Sequence, residues 1–298
     1  LFGFLFCMSS IVSFMGTWEK LKDPVKTSLG DSFSQAGSVF KSRSFRIFVG
    51  IYLSGQCGMD FVSGMAIYYV DEVLNGYSKG YLTMLMGVLL VSQLLGMLVF
   101  GPIMTKTSKK ATILIGAPIR IVCTLGLLAF SYEGAPIAPI LALSAGVGIG
   151  NAATLTSIFA ILADMADVDE LITSVSRPGI VSGMATFARK ISAGISAWVI
   201  GILISFAGYD ASIAKAGLRQ SLHTQNGIAM IFIFLPVILV TLLLIFGYMF
   251  PITKKEFELV HKEIARRKGE DYSVATEEEK KVLKRVTGIE YEQLWGNK

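Results

Sequence analysis

Charged side chains stand inside otherwise apolar sequence between residues 163 and 201. Four carboxylates close one long apolar run: Asp164, Asp167, Asp169 and Glu170. Arg177 and a Pro-Gly pair open the next apolar run, and Arg189 and Lys190 lie well inside it. An ionisable group is costly in a bilayer unless it faces a partner or a water-filled cavity, so each one marks a candidate site for an ion or a polar substrate.

The composition explains why these charges need partners. Of the 298 residues, 53% are hydrophobic and 16% are charged, which is outside the range of an ordinary soluble domain. Cys7, Cys57 and Cys123 lie in apolar runs without a CxxC spacing, so they predict neither a metal site nor a disulfide framework. No Ser-His-Asp set, metal-ligand spacing or phosphate-binding loop stands out in the sequence. We therefore expect a membrane protein that is not an enzyme and holds no tightly bound cofactor.

Six apolar segments are long enough to cross a bilayer, which takes about 20 residues. They run roughly over 47–70, 81–104, 111–131, 137–163, 179–207 and 225–250. Backbone groups in lipid must bond within their own segment, so the spans are helices and the fold class is an all-α membrane protein. We expect a six-helix transmembrane bundle over residues 47–252.

The regions outside the bundle differ from it. Residues 1–16 are apolar but short, which predicts the end of a truncated transmembrane helix; the alternative is a signal peptide, but its basic start and cleavage site are missing. Residues 17–46 form a basic central linker. Residues 253–298 form a charged tail, with Phe257, Val260 and Ile264 on one face of an amphipathic helix. A solvated tail is preferred here to a regulatory docking role.

Lysines and arginines set the orientation. The linker, the TKTSKK turn at 105–110 and the PITKKEF segment after the last span are basic, and they share one side when six spans alternate. The opposite connections contain few basic residues. Because basic loops remain in the cytoplasm, we expect a multi-pass protein of the cell membrane whose linker, acidic loop and C-terminus are cytoplasmic.

The acidic loop lies on the same side as the basic turn in this topology. One interpretation is a solvated loop with ordinary surface charges. The other is a charge lock, in which Lys109 and Lys110 pair with Asp164 or Asp167 when the cytoplasmic side is closed. Exposed ion pairs contribute only about 0–1 kcal/mol each, so a lock would have to act as a network.

The stretch ADMADVDELITSVSRPG, followed by FARK at 187–190, resembles a loop and helix of the glycoside-pentoside-hexuronide:cation symporters. These proteins include the melibiose permeases and belong to the major facilitator superfamily. Thr173-Ser174 and Pro178 depart from the family's Thr-Gly and acidic residue. FKSRSFRIFVGIYL and FPITKKEFELVHKEI resemble the family's entry into its seventh helix and exit from its twelfth. The GPIMTKTSKK turn holds the place of a superfamily loop motif in degenerate form.

The resemblance implies the C-terminal half of a twelve-helix transporter that moves a sugar, glycoside or hexuronide with Na⁺ or H⁺ by alternating access. Its implied partners are a sugar or sugar-acid substrate, the coupling cation, the lipid bilayer and a missing N-terminal six-helix bundle, with no nucleic acid. An efflux or lipid-type permease of the same superfamily is the alternative, because a fold does not fix a function. A non-transport membrane protein is less favoured.

The resemblance also implies site residues. The lysine that matches Lys190 belongs to the family's sugar and cation cavity, and Lys190 lies about 16 Å beyond Gly179, near mid-membrane; the alternative is a lysine that snorkels to an interface. Six further residues are expected to contact substrate: Thr186, Phe187, Asp60, Gln56, Asn151 and Thr154. The expected gating residues are the four carboxylates together with Arg177, Lys109 and Lys110.

Two arginines, Arg120 and Arg189, are predicted to be structural. Arg189 is rotated by about 100° from Lys190 around the helix, so the two side chains cannot point the same way. Arg120 lies deep in the third span, where a salt bridge with Asp60 would lower the cost of burying both. Alternatively, Asp60 faces the central cavity, where it accepts sugar hydroxyls or binds a cation.

Overall fold

The computed structural model describes residues 2–16, 37–76 and 80–296. The chain divides after Gln35 into two units. The described residues of the first form an apolar helix, α1 (Phe2–Gly16), whose 15 residues rise about 22 Å. The predicted linker at 17–46 is described only from residue 37, so most of that prediction lies outside the described residues.

The second unit is built from helices throughout its described residues. Its long helices are α2 (Arg43–Tyr68), α3 (Tyr81–Lys106), α4 (Lys109–Gly126), α5 (Ile137–Thr173), α6 (Pro178–Phe206) and α8 (Leu222–Met249). Short helix α7 (Ala211–Lys215) joins α6 to α8, and α9 (Lys254–Lys268) and α10 (Glu277–Thr287) follow. The prediction of an all-α fold is confirmed.

Within the described residues, five segments are long and apolar enough to cross a membrane: α3, Lys109–Phe130, α5, α6 and α8. They correspond to five of the six predicted spans. The remaining prediction falls on α2, whose 26 residues are interrupted by the polar side chains of Arg46, Gln56 and Asp60. Helix α2 packs against α8 and α6; Gln56 and Asp60 are half-buried, whereas Arg46 is exposed.

The predicted acidic loop is wrong, because all four carboxylates lie on a helix. Helix α5 has 37 residues and rises about 55 Å, well beyond the roughly 30 Å hydrocarbon thickness of a bilayer. Its last turns therefore continue the span and carry the acids. Only residues 174–177 separate it from α6; Ser174 closes α5 with a left-handed φ of 63°, and Pro178 opens α6.

Small residues allow the central helices to approach closely. A Cβ added at Gly116 on α4 would lie 2.2 Å from Ala153 Cβ on α5. One added at Gly148 on α5 would lie 2.4 Å from the Leu89 carbonyl oxygen on α3. Close backbone approach at small residues is how membrane helices gain packing energy, so α5 is fixed between α3 and α4.

The solvated tail is also a wrong prediction. Val260 of α9, Leu283 and Val286 of α10, and Leu294 are completely buried, and they join a core cluster that includes Phe45 of α2. Both tail helices begin with capping boxes, at Thr253 and Thr276. The apolar face that predicted an amphipathic helix is thus buried against the bundle rather than left in water.

Candidate functional site

The four carboxylates crowd the C-terminal end of α5, where the helix dipole disfavours negative charge. We call Asp164, Asp167, Asp169 and Glu170 the carboxylate cluster. Each member has its own basic partner: Lys109 Nζ lies 2.5 Å from Asp164, His261 Nε2 3.3 Å from Asp167, Arg177 Nε 2.6 Å from Asp169 and Lys268 Nζ 2.7 Å from Glu170. The partners come from the start of α4, the start of α6 and the tail helix α9. The cluster therefore ties three other elements to the end of α5.

The Lys109 side chain has three contacts. Besides Asp164, it donates a hydrogen bond to the Ala160 carbonyl oxygen at 3.1 Å and lies over the Phe257 ring at 5.0 Å. Lys110 does not reach the cluster; it donates to the carbonyl oxygens of Tyr248 and Phe250 at 2.6 and 3.0 Å. Of the two lysines predicted for the charge lock, Lys109 thus pairs with the carboxylate cluster and Lys110 does not.

The Arg177 pair is the most sheltered of the four. Its guanidinium binds both oxygens of Asp169, at 2.6 and 3.0 Å, and also donates to Ser38 Oγ at 2.8 Å. Only 11% of the Arg177 side chain and 3% of the Asp169 side chain are exposed. A bidentate pair fixes direction as well as distance, so it sets the angle at which α6 leaves α5.

The tail supplies both hydrogen-bond donors and a positive charge to the end of α5. The backbone N–H groups of Trp295 and Gly296 donate to the Leu171 and Ile172 carbonyl oxygens, each at 2.9 Å. These carbonyls belong to the last turn of the helix, which has no intrahelical donors left for them. The hydrogen bond to Glu170 raises the pKa of Lys268, which keeps that amine charged beside the cluster.

Replacing Lys109 by glutamine is expected to destabilise the bundle by about 1–3 kcal/mol, because the buried Asp164 carboxylate then loses its charged donor. Adding Asp164→Asn should recover part of this loss, since neither charge remains. Thermal unfolding of the two single variants and the double variant measures the coupling. Lys281→Gln, on the exposed surface of α10, is the matched control. Additive effects of the two substitutions would contradict the pairing.

Asp60 pairs with Arg189, not with Arg120. The Arg189 guanidinium donates to both Asp60 oxygens at 2.8 and 2.7 Å, joining α6 to α2. About a quarter of each side chain is exposed, so the pair borders an open surface. The predicted Asp60–Arg120 salt bridge is therefore wrong. Gln56 is half-buried on α2, one turn before Asp60.

Arg120 is completely buried and is held by neutral groups. Its Nη1 donates to Asn151 Oδ1 at 3.0 Å, and Asn151 Nδ2 donates to Gln93 Oε1 at 2.9 Å. A Cβ at Gly58 would lie 2.8 Å from Arg120 Nη2, so the side chain fits only beside a glycine. Asn151 and Thr154, both predicted to contact substrate, are buried in this region rather than on an open face.

Helix α6 presents a different face from Arg189, and this face is open. Thr186, Phe187 and Lys190 are exposed, with 58% of Phe187 accessible. A Cβ at Gly183 or Gly194 would meet no atom within 4 Å. Among the described residues, Lys190 has no hydrogen-bond or ion-pair partner. The two adjacent cations thus have separate surroundings, as their 100° rotation requires.

Sequence reasoning missed several polar contacts. Cys57 Sγ and Ser192 Oγ lie 2.6 Å apart between α2 and α6, near the Asp60–Arg189 pair. Gln93, His261 and Lys268 were also missed. A glutamine in an apolar span was a usable signal for Gln93, but nothing near His261 or Lys268 in the sequence indicates the distant helix they contact. Among the described residues, no group of three His, Cys, Asp or Glu side chains is placed to hold a metal ion.

Apolar helices of spanning length, joined by buried and half-buried polar pairs, define a multi-pass membrane protein. Residues 1–254 match the family described as "MFS/sugar transport protein", and the chain belongs to that family. The resemblance found in the sequence is confirmed at this level. The family is one of transporters, not enzymes.

Three relatives have names that fit this family. The "Glucuronide carrier protein homolog" of Escherichia coli (strain K12) is 27% identical over 212 residues, covering 70% of this chain and 44% of the relative. The "Putative sulfoquinovose importer" of the same strain is 27% identical over 292 residues, covering 93% and 56%. The "Isoprimeverose transporter" of Lactiplantibacillus pentosus is 27% identical over 184 residues, covering 61% and 36%. The chain spans about half the length, or less, of the relatives it matches.

Proposed function

We propose that this chain is the C-terminal part of a secondary active transporter that moves a sugar, glycoside or hexuronide. Transport is coupled to Na⁺ or H⁺ and proceeds by alternating access, with the substrate between this bundle and an N-terminal one. The family match and the names of the three relatives support the substrate class. The incomplete coverage of those relatives supports a partner bundle.

The observation that carries this proposal is Lys190 on the open face of α6, next along the chain to Arg189 of the Asp60–Arg189 pair. Lys190 lies about 16 Å into α6, is exposed, and has no partner among the described residues. A charge at that depth is tolerated when it lines a water-filled cavity. The neighbouring Asp60–Arg189 pair, with Gln56, adds carboxylate, guanidinium and amide groups, which are suited to sugar hydroxyls and, at the carboxylate, to a cation.

The carboxylate cluster is proposed to act in gating. Its partners reach it from α4, α6 and the tail, so a movement of any of these helices changes several contacts together. Each exposed pair contributes about 0–1 kcal/mol, but a set of them can bias two states. The basic turn between α3 and α4 and the basic start of α9 support a cytoplasmic position for this end of a protein of the cell membrane.

Lys190→Ala in the full-length protein is expected to lower substrate accumulation about tenfold or more, because charge-assisted hydrogen bonds contribute about 1.5–3 kcal/mol. Uptake of a radiolabelled glycoside or glucuronide into membrane vesicles, driven in turn by a sodium gradient and by a pH gradient, is the measurement. Lys281→Ala, on the exposed tail surface, serves as the control. Uptake equal to that of the parent in Lys190→Ala would remove the residue from the site.

A further inference from the structure

A cavity of about 230 Å³ opens at the end of α3, beside the start of α4 and the connection between α8 and α9. Its polar lining consists of hydroxyl and charged groups: Thr105, Thr107, Ser108, Thr253, Lys109, Lys254 and Asp164. Its apolar lining comes from Met104, Ile252 and Phe257. The hydroxyls of Thr105, Thr107 and Thr253 already donate to the Pro102 and Ile103 carbonyls and to Glu256. The cavity thus offers the lysine ammonium groups and the Ser108 hydroxyl next to an apolar floor, which is a combination suited to an amphiphile.

The cavity and its surroundings carry surplus positive charge. Asp164 is neutralised by Lys109, 2.5 Å away. Three further lysines are exposed and have no ion-pair or hydrogen-bond partner among the described residues: Lys106, Lys254 and Lys255. Glu258 is the acid at the adjoining opening that also contains Lys254 and Lys255. The balance of these groups favours an anion.

An apolar stripe on α3 leads away from the same cavity. Leu94, Leu95 and Leu98 are 58–73% exposed and follow the spacing of one helix face. Thr105, seven residues after Leu98, continues this face and lines the cavity. An extended hydrocarbon chain can therefore lie along the stripe while a polar group attached to it occupies the cavity.

We propose that this cavity binds the phosphate of an anionic phospholipid, with the acyl chains along the exposed stripe of α3. The ammonium groups of Lys109 and Lys254 and the Ser108 hydroxyl donate to the phosphate oxygens, and Met104 and Phe257 contact the glycerol and upper acyl carbons. The orientation proposed above places the cavity at the cytoplasmic leaflet, where basic pockets between transmembrane helices bind anionic headgroups. A lipid here would contact Lys109, the same side chain that holds Asp164.

The test uses the full-length protein in phosphatidylcholine nanodiscs that contain a small fraction of phosphatidylglycerol. Native mass spectrometry counts the phosphatidylglycerol molecules retained by the parent and by the Lys106→Gln/Lys254→Gln/Lys255→Gln variant. Because each lysine near the surface contributes about 1 kcal/mol, retention should weaken about tenfold or more. The matched control is Lys41→Gln/Lys215→Gln/Lys281→Gln, which removes the same charge from exposed positions outside the cavity.

Two further measurements distinguish binding in the cavity from general electrostatic attraction of phosphatidylglycerol to the protein surface. Thr105→Trp fills the cavity without changing its charge and should lower retention as well. Millimolar inorganic phosphate should not displace the lipid, because it lacks acyl chains for the stripe. Equal loss in the two triple variants, full retention in Thr105→Trp, or displacement by inorganic phosphate would each overturn the proposal.

Discussion

Asp60→Ala is expected to destabilise the bundle by about 3 kcal/mol and to abolish transport. The substitution leaves the half-buried Arg189 guanidinium without a carboxylate, and breaking a buried pair typically costs about 3–5 kcal/mol. The lower end applies because about a quarter of each side chain is exposed. Thermal unfolding of the solubilised full-length protein measures the loss of stability, and vesicle uptake measures transport.

Removal of both charges separates the structural effect from the functional one. Asp60→Asn/Arg189→Gln leaves neither charge uncompensated, so it should be more stable than either single variant. If Asp60 also binds substrate or a cation, transport stays low in this stable double variant. Recovery of transport together with stability would limit Asp60 to a structural role. Equal stability of the parent and Asp60→Ala would show that the ion pair does not stabilise the bundle.

Leu283→Ala is expected to detach the tail, with a loss of about 2–5 kcal/mol in docking free energy. Leu283 is completely buried in the cluster that joins α10 to α2 and α5, and a leucine removed from such a site costs both its transfer energy and the cavity left behind. Limited trypsin digestion measures the result, because the side chains of Arg266 and Arg267 are largely covered while α9 stays docked.

Val274→Ala is the matched control for the tail. Val274 is 88% exposed in the connection between α9 and α10, so its truncation removes little contact. If the buried cluster holds the tail, trypsin should cleave rapidly at Arg266 and Arg267 in Leu283→Ala and at the parent rate in Val274→Ala. Identical digestion of all three proteins would mean that the tail is not held by this cluster.

Local pattern was enough to predict most of the membrane helices. Long apolar runs located α3 to α6 and α8, and the register of one helix was enough to separate Arg189 from Lys190. Helix α2 is less apolar than the other long helices because it carries polar residues. One of these, Asp60, pairs with Arg189. Sequence reasoning therefore performs best where lipid alone dictates the residue types.

Partner choice was not predictable in the same way. Asp60 and Arg189 are 129 residues apart in the chain, and nothing local distinguishes Arg189 from Arg120 as the partner of Asp60. The carboxylates predicted a loop because they end a long apolar run, and acids are in addition unfavourable at a helix C-terminus. Their distant partners Lys109, His261 and Lys268 reverse that preference. The tail's buried face likewise depends on a surface contributed by other helices.

The hydrogen bonds from Trp295 and Gly296 to the last turn of α5 have a consequence for biosynthesis. Helices α2 to α8 can enter the bilayer while the ribosome is still translating the tail, but the carbonyls of Leu171 and Ile172 must wait for donors encoded far downstream. These two carbonyls are thus without their protein donors throughout insertion and gain them only after residue 296 has left the ribosome. A ribosome stalled between α9 and that point would hold an inserted bundle with these carbonyls still lacking those donors.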